Sequence, residues 1–228
     1  SATSSSGSSS SSLCLGVHPP RLASEPLTSV APWKTDFLRP LSLALPSTAC
    51  IALLFSGPPR RDGIPEYVKH FAPDWNTISY DLEWTTSPTD LADDYHWGCY
   101  MQRLRARSIQ GAQYGPPCGP FAAARKHDDG GPRPLRDATG PGRYGIKGLR
   151  PEEKEIVRLG TLLALRTAEA LCEHIRLEIP FIYETPWPRD GYCSMTDLDE
   201  FRTIVLHPQV KRKRIDQCLC EAKGQKGT

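Results

Sequence analysis

A long amphipathic pattern over residues 150–177 limits the folds open to this chain more than any other feature. Pro151 and the acidic residues directly after it are typical of a helix N-terminus. Apolar residues then recur at helical spacing, at Ile156, Leu159, Leu163, Leu171 and Ile175. The pattern predicts a single amphipathic helix.

Strand-like runs and helical patterns alternate on either side of this segment. The strand-like runs cover residues 49–55, 76–84, 108–114, 178–187 and 214–220. Helical patterns cover residues 64–71, 93–107 and 196–205, and a long loop rich in Gly, Pro and Arg covers 119–149. Alternation of this kind predicts an α/β fold with a mainly parallel sheet and helices on both faces.

The first 47 residues differ in composition from the rest of the chain. They are rich in Ser and interrupted by Pro, with little periodicity, so they cannot bury enough apolar surface to offset the entropy of ordering. We therefore predict a disordered tail over 1–47, followed by one domain over 48–228. The scarcity of acidic residues in the tail also suits an organelle targeting peptide.

Charge and cysteine content narrow the function classes. The chain has 28 basic and 26 acidic residues, so its overall charge does not indicate nucleic-acid binding, although the clusters at 103–107 and 211–214 suit either phosphates or solvent. Its eight cysteines are irregularly spaced. This spacing favours reduced thiols over a disulfide scaffold or a zinc site. No apolar run is long enough to span a membrane. We expect an intracellular protein without a membrane partner, nuclear if the source is a eukaryote and otherwise cytoplasmic, and a monomer by default.

Unusual residues follow four of the predicted strands. In a parallel α/β sheet, ligands bind beyond the carboxyl ends of the strands. The stretches that fall there are "FSGPP" (55–59), the acids Asp81 and Glu83, "GPPC" (115–118) and "YETP" (183–186). Their common position predicts one functional site at this edge.

These stretches give the chain a resemblance to the S-adenosylmethionine-dependent DNA (cytosine-5) methyltransferases. "LLFSG" (53–57) resembles the family's first motif, "GPPC" its catalytic Pro-Pro-Cys motif, and "ETP" (184–186) its Glu-Asn-Val or Glu-Asn-Pro motif. The three occur in the family's order and the resemblance covers about residues 48–228. It implies a Rossmann-like methyltransferase fold with S-adenosyl-L-methionine as cofactor and DNA as partner.

The resemblance also implies a mechanism and catalytic residues. Cys118 would add as a thiolate to carbon 6 of cytosine, which turns carbon 5 into a nucleophile for the methyl group. Glu184 would assist at N3 of the ring. The target cytosine would be flipped out of duplex DNA. Pro116 would help to fix the loop and would contact the cofactor.

Cofactor-binding residues follow from the same matches. Phe55 and Gly57 would line the methionine and adenosine end, because glycine lets the backbone approach a ligand closely. Asp81 or Glu83 would accept hydrogen bonds from the ribose hydroxyls, and Asp90 would contact the adenine amino group. No metal site is expected.

Several positions depart from the family pattern. Pro58 and Pro59 stand where the cofactor turn is expected to be richer in glycine, and Thr185 replaces the Asn after Glu184. The resemblance also leads us to expect a DNA-recognition region, and no motif within residues 1–228 indicates one. A methyltransferase-like fragment that binds cofactor or DNA without turnover is therefore an alternative, as is a non-enzymatic fragment of a mobile-element or phage-like reading frame. An exocyclic-amine methyltransferase fits less well, because such enzymes carry an aromatic residue where Cys118 stands.

Each site residue also has a plain structural interpretation. Cys118 alone would be an incidental thiol in a chain with 22 prolines, and Gly57 an ordinary turn glycine. The acids would be surface charges or would cap strand ends. The order of the matches, and their common position at one sheet edge, favour the methyltransferase interpretation.

Overall fold

The computed structural model of the protein describes residues 11–17, 49–61, 63–83, 88–121, 132–187 and 191–216. A six-stranded sheet lies at its centre, with the strand order β3-β2-β4-β5-β1-β6. The strands, numbered along the chain, are β1 Ser11–Val17, β2 Ala49–Leu54, β3 Trp75–Tyr80, β4 Gly111–Tyr114, β5 Phe181–Pro186 and β6 Val210–Asp216.

Four neighbouring strands form a parallel unit. β2 pairs in parallel with β3 and β4, and β4 pairs in parallel with β5. Numbered among themselves, these strands have the order 2-1-3-4, so the direction of winding reverses between β2 and β4. Such a reversal opens a crevice beyond the carboxyl ends of the two strands. The predicted α/β class and mainly parallel sheet are confirmed.

Strand β1 differs from the sequence-based expectation. It lies within the segment expected to be disordered, yet it pairs in antiparallel fashion with β5 on one side and β6 on the other. Its hydrogen-bond partners come from strands far away in the sequence, so local composition could not indicate them. The rest of the predicted tail, residues 1–10 and 18–47, lies outside the described residues.

The described residues contain four α-helices and several short 3₁₀ turns. The helices are α1 Ile64–Phe71, α2 Asp94–Arg105, α3 Pro151–Leu177 and α4 Arg202–Val205. The first three match the predicted helical patterns. The helix predicted over 196–205 is wrong in its first part, because 3₁₀ turns Met195–Asp197 and Asp199–Phe201 precede the single turn of α4. The predicted loop also contains 3₁₀ turns, at Gly119–Phe121 and Gly140–Tyr144.

The two faces of the sheet are covered unequally. Side chains of alternate strand residues, including Leu54, Tyr114 and Tyr183, join the α2 and α3 side chains in one buried core. The opposite face, which carries Leu53, meets α1, and this short helix has no buried residue. Helices lie on both faces, as predicted, but the core is concentrated on the α2 and α3 face.

A buried polar chain fixes the relative position of α2, β4 and α3. The hydroxyls of Tyr100 and Tyr114 are hydrogen-bonded to each other, and Tyr100 Oη lies 3.3 Å from His174 Nε2. The other ring nitrogen of His174 lies 3.1 Å from the carbonyl oxygen of Ile179. Burial lowers the pKa of His174 to about 4, so the imidazole is neutral at pH 7.

None of the helices that the structure describes is both long and apolar enough to cross a bilayer. The longest, α3, has charged residues along its length and packs against the sheet and α2. Its C-terminus is closed by Glu178, which adopts the left-handed conformation common at helix ends.

Candidate functional site

The turn after β2 has a backbone conformation that few side chains adopt. Phe55 has φ of 58° and Gly57 has φ of 69°, both in the left-handed region. Glycine adopts this conformation without strain, whereas for Phe55 it costs on the order of 1 kcal/mol. The Phe55 N–H donates to the carbonyl oxygen of Tyr80, over 3.1 Å, and so ties the turn to the end of β3. Strain held in this way is typical of functional sites.

Asp81 shapes this turn. Its Oδ2 accepts a hydrogen bond from the Gly57 N–H at 2.9 Å, and its Oδ1 accepts one from the Glu83 N–H at 2.8 Å. A carboxylate has about four acceptor positions, so further donors such as ribose hydroxyls can still bind. Asp81 therefore lies where the sequence predicted, with a structural role that the sequence did not indicate. Glu83 is exposed beside it.

The "GPPC" loop begins in direct contact with the same turn. The Gly115 N–H donates to the carbonyl oxygen of Leu54 at 3.1 Å. A Cβ on Gly115 would lie 3.4 Å from both Gln113 Nε2 and the carbonyl oxygen of Phe55, so a small residue suits this position. Pro116, the next residue, is buried. The ends of β2 and β4 thus form one unit at the predicted crevice.

A cleft of about 380 Å³ opens between this unit and α1. Its size is within the range of small-molecule sites. The lining residues are Leu53, Phe55, Ser56, Gly57, Pro58, Pro59, Arg60, Gly63, Ile64, Pro65, Glu66, Gln113, Gly115 and Glu184. Three predicted site residues therefore share one cavity: Phe55, Gly57 and Glu184. The two prolines of the turn form part of the wall and leave the cavity open.

None of the other predicted site residues lines this cleft. Asp81 reaches it through its hydrogen bond to Gly57. Asp90 lies on the turn before α2, where its Oδ1 accepts a hydrogen bond from the Ala92 N–H at 2.8 Å. The lining of the cleft includes Gly115 but does not extend to Cys118.

Cys118 is half-buried beside β5. It lies close enough to Tyr183 that a charge on its sulfur would contribute to the raised pKa of the tyrosine, which is due mainly to burial. Tyr183 directly precedes Glu184 on the strand. Burial also raises the pKa of the Cys118 thiol, and a backbone hydrogen bond only partly opposes this rise. The thiol is therefore protonated at neutral pH in this structure.

The residues after Cys118 are held against α3. The Phe121 N–H donates to the carbonyl oxygen of Cys118 at 2.8 Å. The guanidinium of Arg136 lies over the Phe121 ring, 3.9 Å from its centroid. Arg136 is buried and donates to the carbonyl oxygen of Val157 at 3.1 Å and to Thr161 Oγ1 at 2.9 Å. Burial lowers the pKa of Arg136 to about 10, so it stays charged at pH 7 and keeps these bonds.

Gly160 gives the Cys118 loop its close approach to α3. A Cβ at Gly160 would lie 2.7 Å from Cγ of Pro120, whose ring cannot move away without moving the loop. We expect Gly160→Ala to lower the free energy of unfolding by about 1–2 kcal/mol, because overpacking outweighs the gain in helix propensity. Thermal unfolding followed by circular dichroism measures this change.

The control for this variant is Gly98→Ala on α2. Gly98 is exposed and a Cβ there would meet no atom within 4 Å. This change is expected to stabilise the protein by up to about 1 kcal/mol, because alanine is the better helix former. Opposite signs for the two variants support the contact, whereas stabilisation by both would contradict it.

Three residues at or around the site were not predicted. Gly160 interrupts an amphipathic helix, which is a weak signal of close packing. The other two are polar residues, on a predicted strand and in the predicted loop, and no sequence signal distinguishes them from surface residues: Gln113 and Arg136.

The described residues contain no group of three His, Cys, Asp or Glu side chains that could hold a metal ion. A larger cavity of about 640 Å³ lies between residues 144–149 and α3, and none of the predicted site residues lines it. The cleft at the strand ends therefore remains the candidate ligand site.

Comparisons with known proteins add no relative. No family model matches the chain, and it has no significant similarity to a curated protein or a solved structure. The functional argument therefore depends on the motifs and on the geometry around the cleft.

Proposed function

We propose that the protein transfers a methyl group from S-adenosyl-L-methionine to carbon 5 of cytosine in DNA, through a covalent adduct with Cys118. In this proposal the parallel unit is the core of a Rossmann-like methyltransferase fold. The cleft binds the cofactor, and the target base enters from the side of Cys118.

One observation carries the proposal. Phe55 and Gly57 belong to one motif, and Glu184 belongs to another that lies more than 120 residues later in the sequence. All three residues line the same cleft, at the point where the winding of the sheet reverses. Gly115, the first residue of the "GPPC" motif, lines it as well. A chance match of short motifs would have no reason to meet at the edge where α/β folds bind ligands.

The residues around the cleft suit this cofactor. Phe55 offers an apolar ring, Gly57 a close backbone approach, and Asp81 and Asp90 carboxylates for hydroxyl or amino donors. Glu184 and Glu66 add negative charge to the lining, which favours a cationic ligand. The cofactor supplies the electrophilic methyl group.

Cys118 and Glu184 would carry the chemistry on the base. The Cys118 thiolate forms a bond to carbon 6 while Glu184 gives a proton to N3, and the resulting enamine attacks the methyl group through carbon 5. Loss of the carbon 5 proton to water, and of the N3 proton to Glu184, then expels the thiolate. Each turnover consumes one S-adenosylmethionine and releases one S-adenosylhomocysteine and one proton.

Methyl transfer and adduct formation test the proposal together. The protein is incubated with tritiated S-adenosylmethionine and duplex DNA, and separately with DNA in which 5-fluorocytosine replaces cytosine. Because fluorine cannot leave carbon 5 as a cation, the enzyme would remain covalently attached to the second substrate. A folded protein that gives neither labelled DNA nor an adduct would overturn the proposal.

The alternative of a binding-only protein has one observation in its favour. Burial raises the pKa of Cys118, and among the described residues, which do not include 122–131, no lysine, arginine or histidine contributes an opposing effect. Efficient cysteine nucleophiles have a lowered pKa, usually through a nearby cation or a helix N-terminus. If this thiol stays protonated in the DNA complex, the chain binds cofactor or DNA without turnover.

We expect the alkylation of Cys118 by iodoacetamide to depend steeply on pH. The thiolate is the reactive form, and burial raises the pKa of Cys118 above the ordinary value of 9.0. Below that pKa the thiolate fraction, and with it the alkylation rate, should rise about tenfold for each pH unit. Mass spectrometry of the Cys118 peptide after timed alkylation at several neutral and alkaline pH values measures this slope, with circular dichroism at each pH to verify folding. An alkylation rate that is constant across neutral pH would contradict a raised pKa.

A further inference from the structure

The larger cavity, beside α3, is a groove separate from the cleft. Its volume is about 640 Å³, and it is bounded by residues 144–149 on one side and by α3 on the other. The groove and the cleft share no lining residue. On α3 the lining residues are spaced by three or four positions and therefore form one stripe along the helix: Lys154, Val157, Arg158, Thr161, Leu162 and Leu165.

Hydrogen bonds hold both walls of the groove in place. The buried guanidinium of Arg136 donates to the carbonyl oxygen of Arg143 at 2.7 Å. It also donates to α3, at the Val157 carbonyl oxygen and at Thr161 Oγ1. Gly145 has φ of 136°, and a Cβ there would lie 3.0 Å from Cγ1 of Val157, so glycine lets the loop lie close to the helix. The walls are therefore fixed by the chain itself, and a ligand would pay little ordering cost.

The charged residues of the lining are all basic. Lys147 lies on the loop wall, Lys154 and Arg158 lie one turn apart on α3, and all three side chains are exposed. Arg158 forms an exposed ion pair with Glu155. The ion pairs of the described residues involve arginine or histidine and neither of these lysines. This end of the groove is therefore complementary to an anion.

The other end of the groove is apolar. Leu162 and Leu165 lie two to three turns beyond Lys154, about 12–16 Å along the helix axis. Ile146 faces the same groove from the loop, and Val157 lies on α3 between the two ends. Both leucines are partly exposed, so a bound apolar group would remove their surface from water. The lining thus matches a molecule with an anionic head and a hydrocarbon chain.

We propose that this groove binds a free long-chain carboxylate. Lys147 and Lys154 bind the carboxylate, and the hydrocarbon chain lies along the apolar stripe of α3. A nucleic-acid backbone would match the lysines but leave the apolar stripe uncovered, and a neutral hydrocarbon would match the stripe but not the lysines. The volume is within the range of small-molecule sites. This inference goes beyond the proposed function and does not depend on it.

Three amphiphiles test the inference by isothermal titration calorimetry, each below the concentration at which it forms micelles. Laurate has the proposed head and chain, octanoate has the same head and a shorter chain, and dodecyltrimethylammonium has a long chain and a cationic head. We expect laurate to bind, and octanoate to bind at least about tenfold more weakly because fewer methylenes leave water. The cationic amphiphile should bind about tenfold more weakly than laurate, because the lysines repel its head.

Variants test whether laurate binds in the groove. The double variant Lys147→Gln/Lys154→Gln should weaken laurate binding about fivefold, since each exposed charge pair contributes little. Leu162→Glu, which puts a carboxylate at the apolar end, should weaken it at least about tenfold. The matched control, Lys69→Gln/Lys211→Gln, removes the same charge from two exposed lysines outside the lining and should change the affinity by less than about twofold. Circular dichroism verifies the folding of each variant.

The possible results decide the inference independently of methyl transfer. Laurate binding that the groove variants weaken, and the control does not, would support it. A folded wild-type protein that does not bind laurate, or equal losses in the two double variants, would overturn it. So would a protein that ignores laurate but sediments with phosphatidylcholine vesicles containing phosphatidylglycerol, because the groove would then face a membrane surface. Since no step uses S-adenosylmethionine or DNA, failure of the proposed function would leave this inference intact.

Discussion

Replacement of Cys118 by Ser is expected to abolish the covalent DNA adduct and to lower methyl transfer by at least about a thousandfold. A serine hydroxyl is not ionised at neutral pH and cannot replace the thiolate in the addition to carbon 6. The half-buried Cys118 tolerates the change sterically, because oxygen is smaller than sulfur and causes no clash. Gel electrophoresis of the protein with 5-fluorocytosine DNA, together with the tritium assay, measures both effects.

Cys99→Ser is the matched control for this variant. Cys99 is also a partly buried free cysteine, but it lies on α2. Its replacement should leave the adduct and the transfer rate within about twofold of the wild-type values. An adduct that persists in Cys118→Ser would show that another group attacks the base. Equal losses in both variants would show a general effect on folding.

The second large effect is expected for Arg166→Met. Arg166 is buried on α3 and its guanidinium donates to the carbonyl oxygens of Leu91 at 2.6 Å and of Asp93 at 3.0 Å, and to the carboxylate of Asp94. Methionine keeps the apolar stem but removes the Arg166 donor from the buried carbonyl of Leu91, whereas the Asp93 carbonyl keeps its bond from the Trp97 N–H. We expect a loss of about 3 kcal/mol in the free energy of unfolding. For a chain of this length that corresponds to roughly 6–12 °C in Tm.

This variant should also affect ligand binding, because Arg166 holds the turn that carries Asp90. Calorimetry with S-adenosylmethionine, below the lowered Tm, measures that effect. Arg158→Met on the same helix is the control, since Arg158 is exposed and forms an exposed ion pair with Glu155. An exposed pair of this kind contributes about 0–1 kcal/mol. If the two variants have the same Tm, the anchoring role of Arg166 is wrong.

The sequence predicted the elements whose patterns are local. The apolar run of β2 and the periodicity of α3 are complete within their own segments, and both elements were found where expected. The prediction of a helix over 196–205 was wrong in its first part, and the cause is a local backbone conformation that the sequence pattern does not indicate. Leu198 is extended, with ψ of 144°, and it separates the two 3₁₀ turns that replace the first half of the helix.

Other features depended on neighbours that a sequence does not display. Strand β6 begins at Val210, before the predicted start at residue 214. The prediction started too late because residues 211–214 are charged, and they are exposed on the last strand in the order of the sheet. Charged side chains are common on edge strands, but in the sequence they resemble a surface loop. The hydrogen bond from Gln113 Nε2 to Glu184 Oε2 likewise depends on β5 lying beside β4, and no periodicity in the sequence reveals that pairing.

The candidate site was predictable in its parts and not in its arrangement. The motifs identified Phe55, Gly57 and Glu184, and the structure brings these residues into one cleft. Motif order could not show that Asp81 holds the backbone of Gly57, or that Cys118 lies outside the lining of that cleft. Such details depend on side-chain packing across strands and loops.

The position of β1 has a consequence for how the chain folds during synthesis. Ser11 pairs with Asp216, and Ser12 with Pro186, so these β1 residues pair with residues that are synthesised more than 170 residues after them. Contacts of such long range form slowly, because a large loop must close before any hydrogen bond is gained. The parallel unit of β2 to β5 can assemble earlier. The insertion of β1 between β5 and β6 is therefore expected to be the slowest step in forming this sheet, completed only after β6 has left the ribosome.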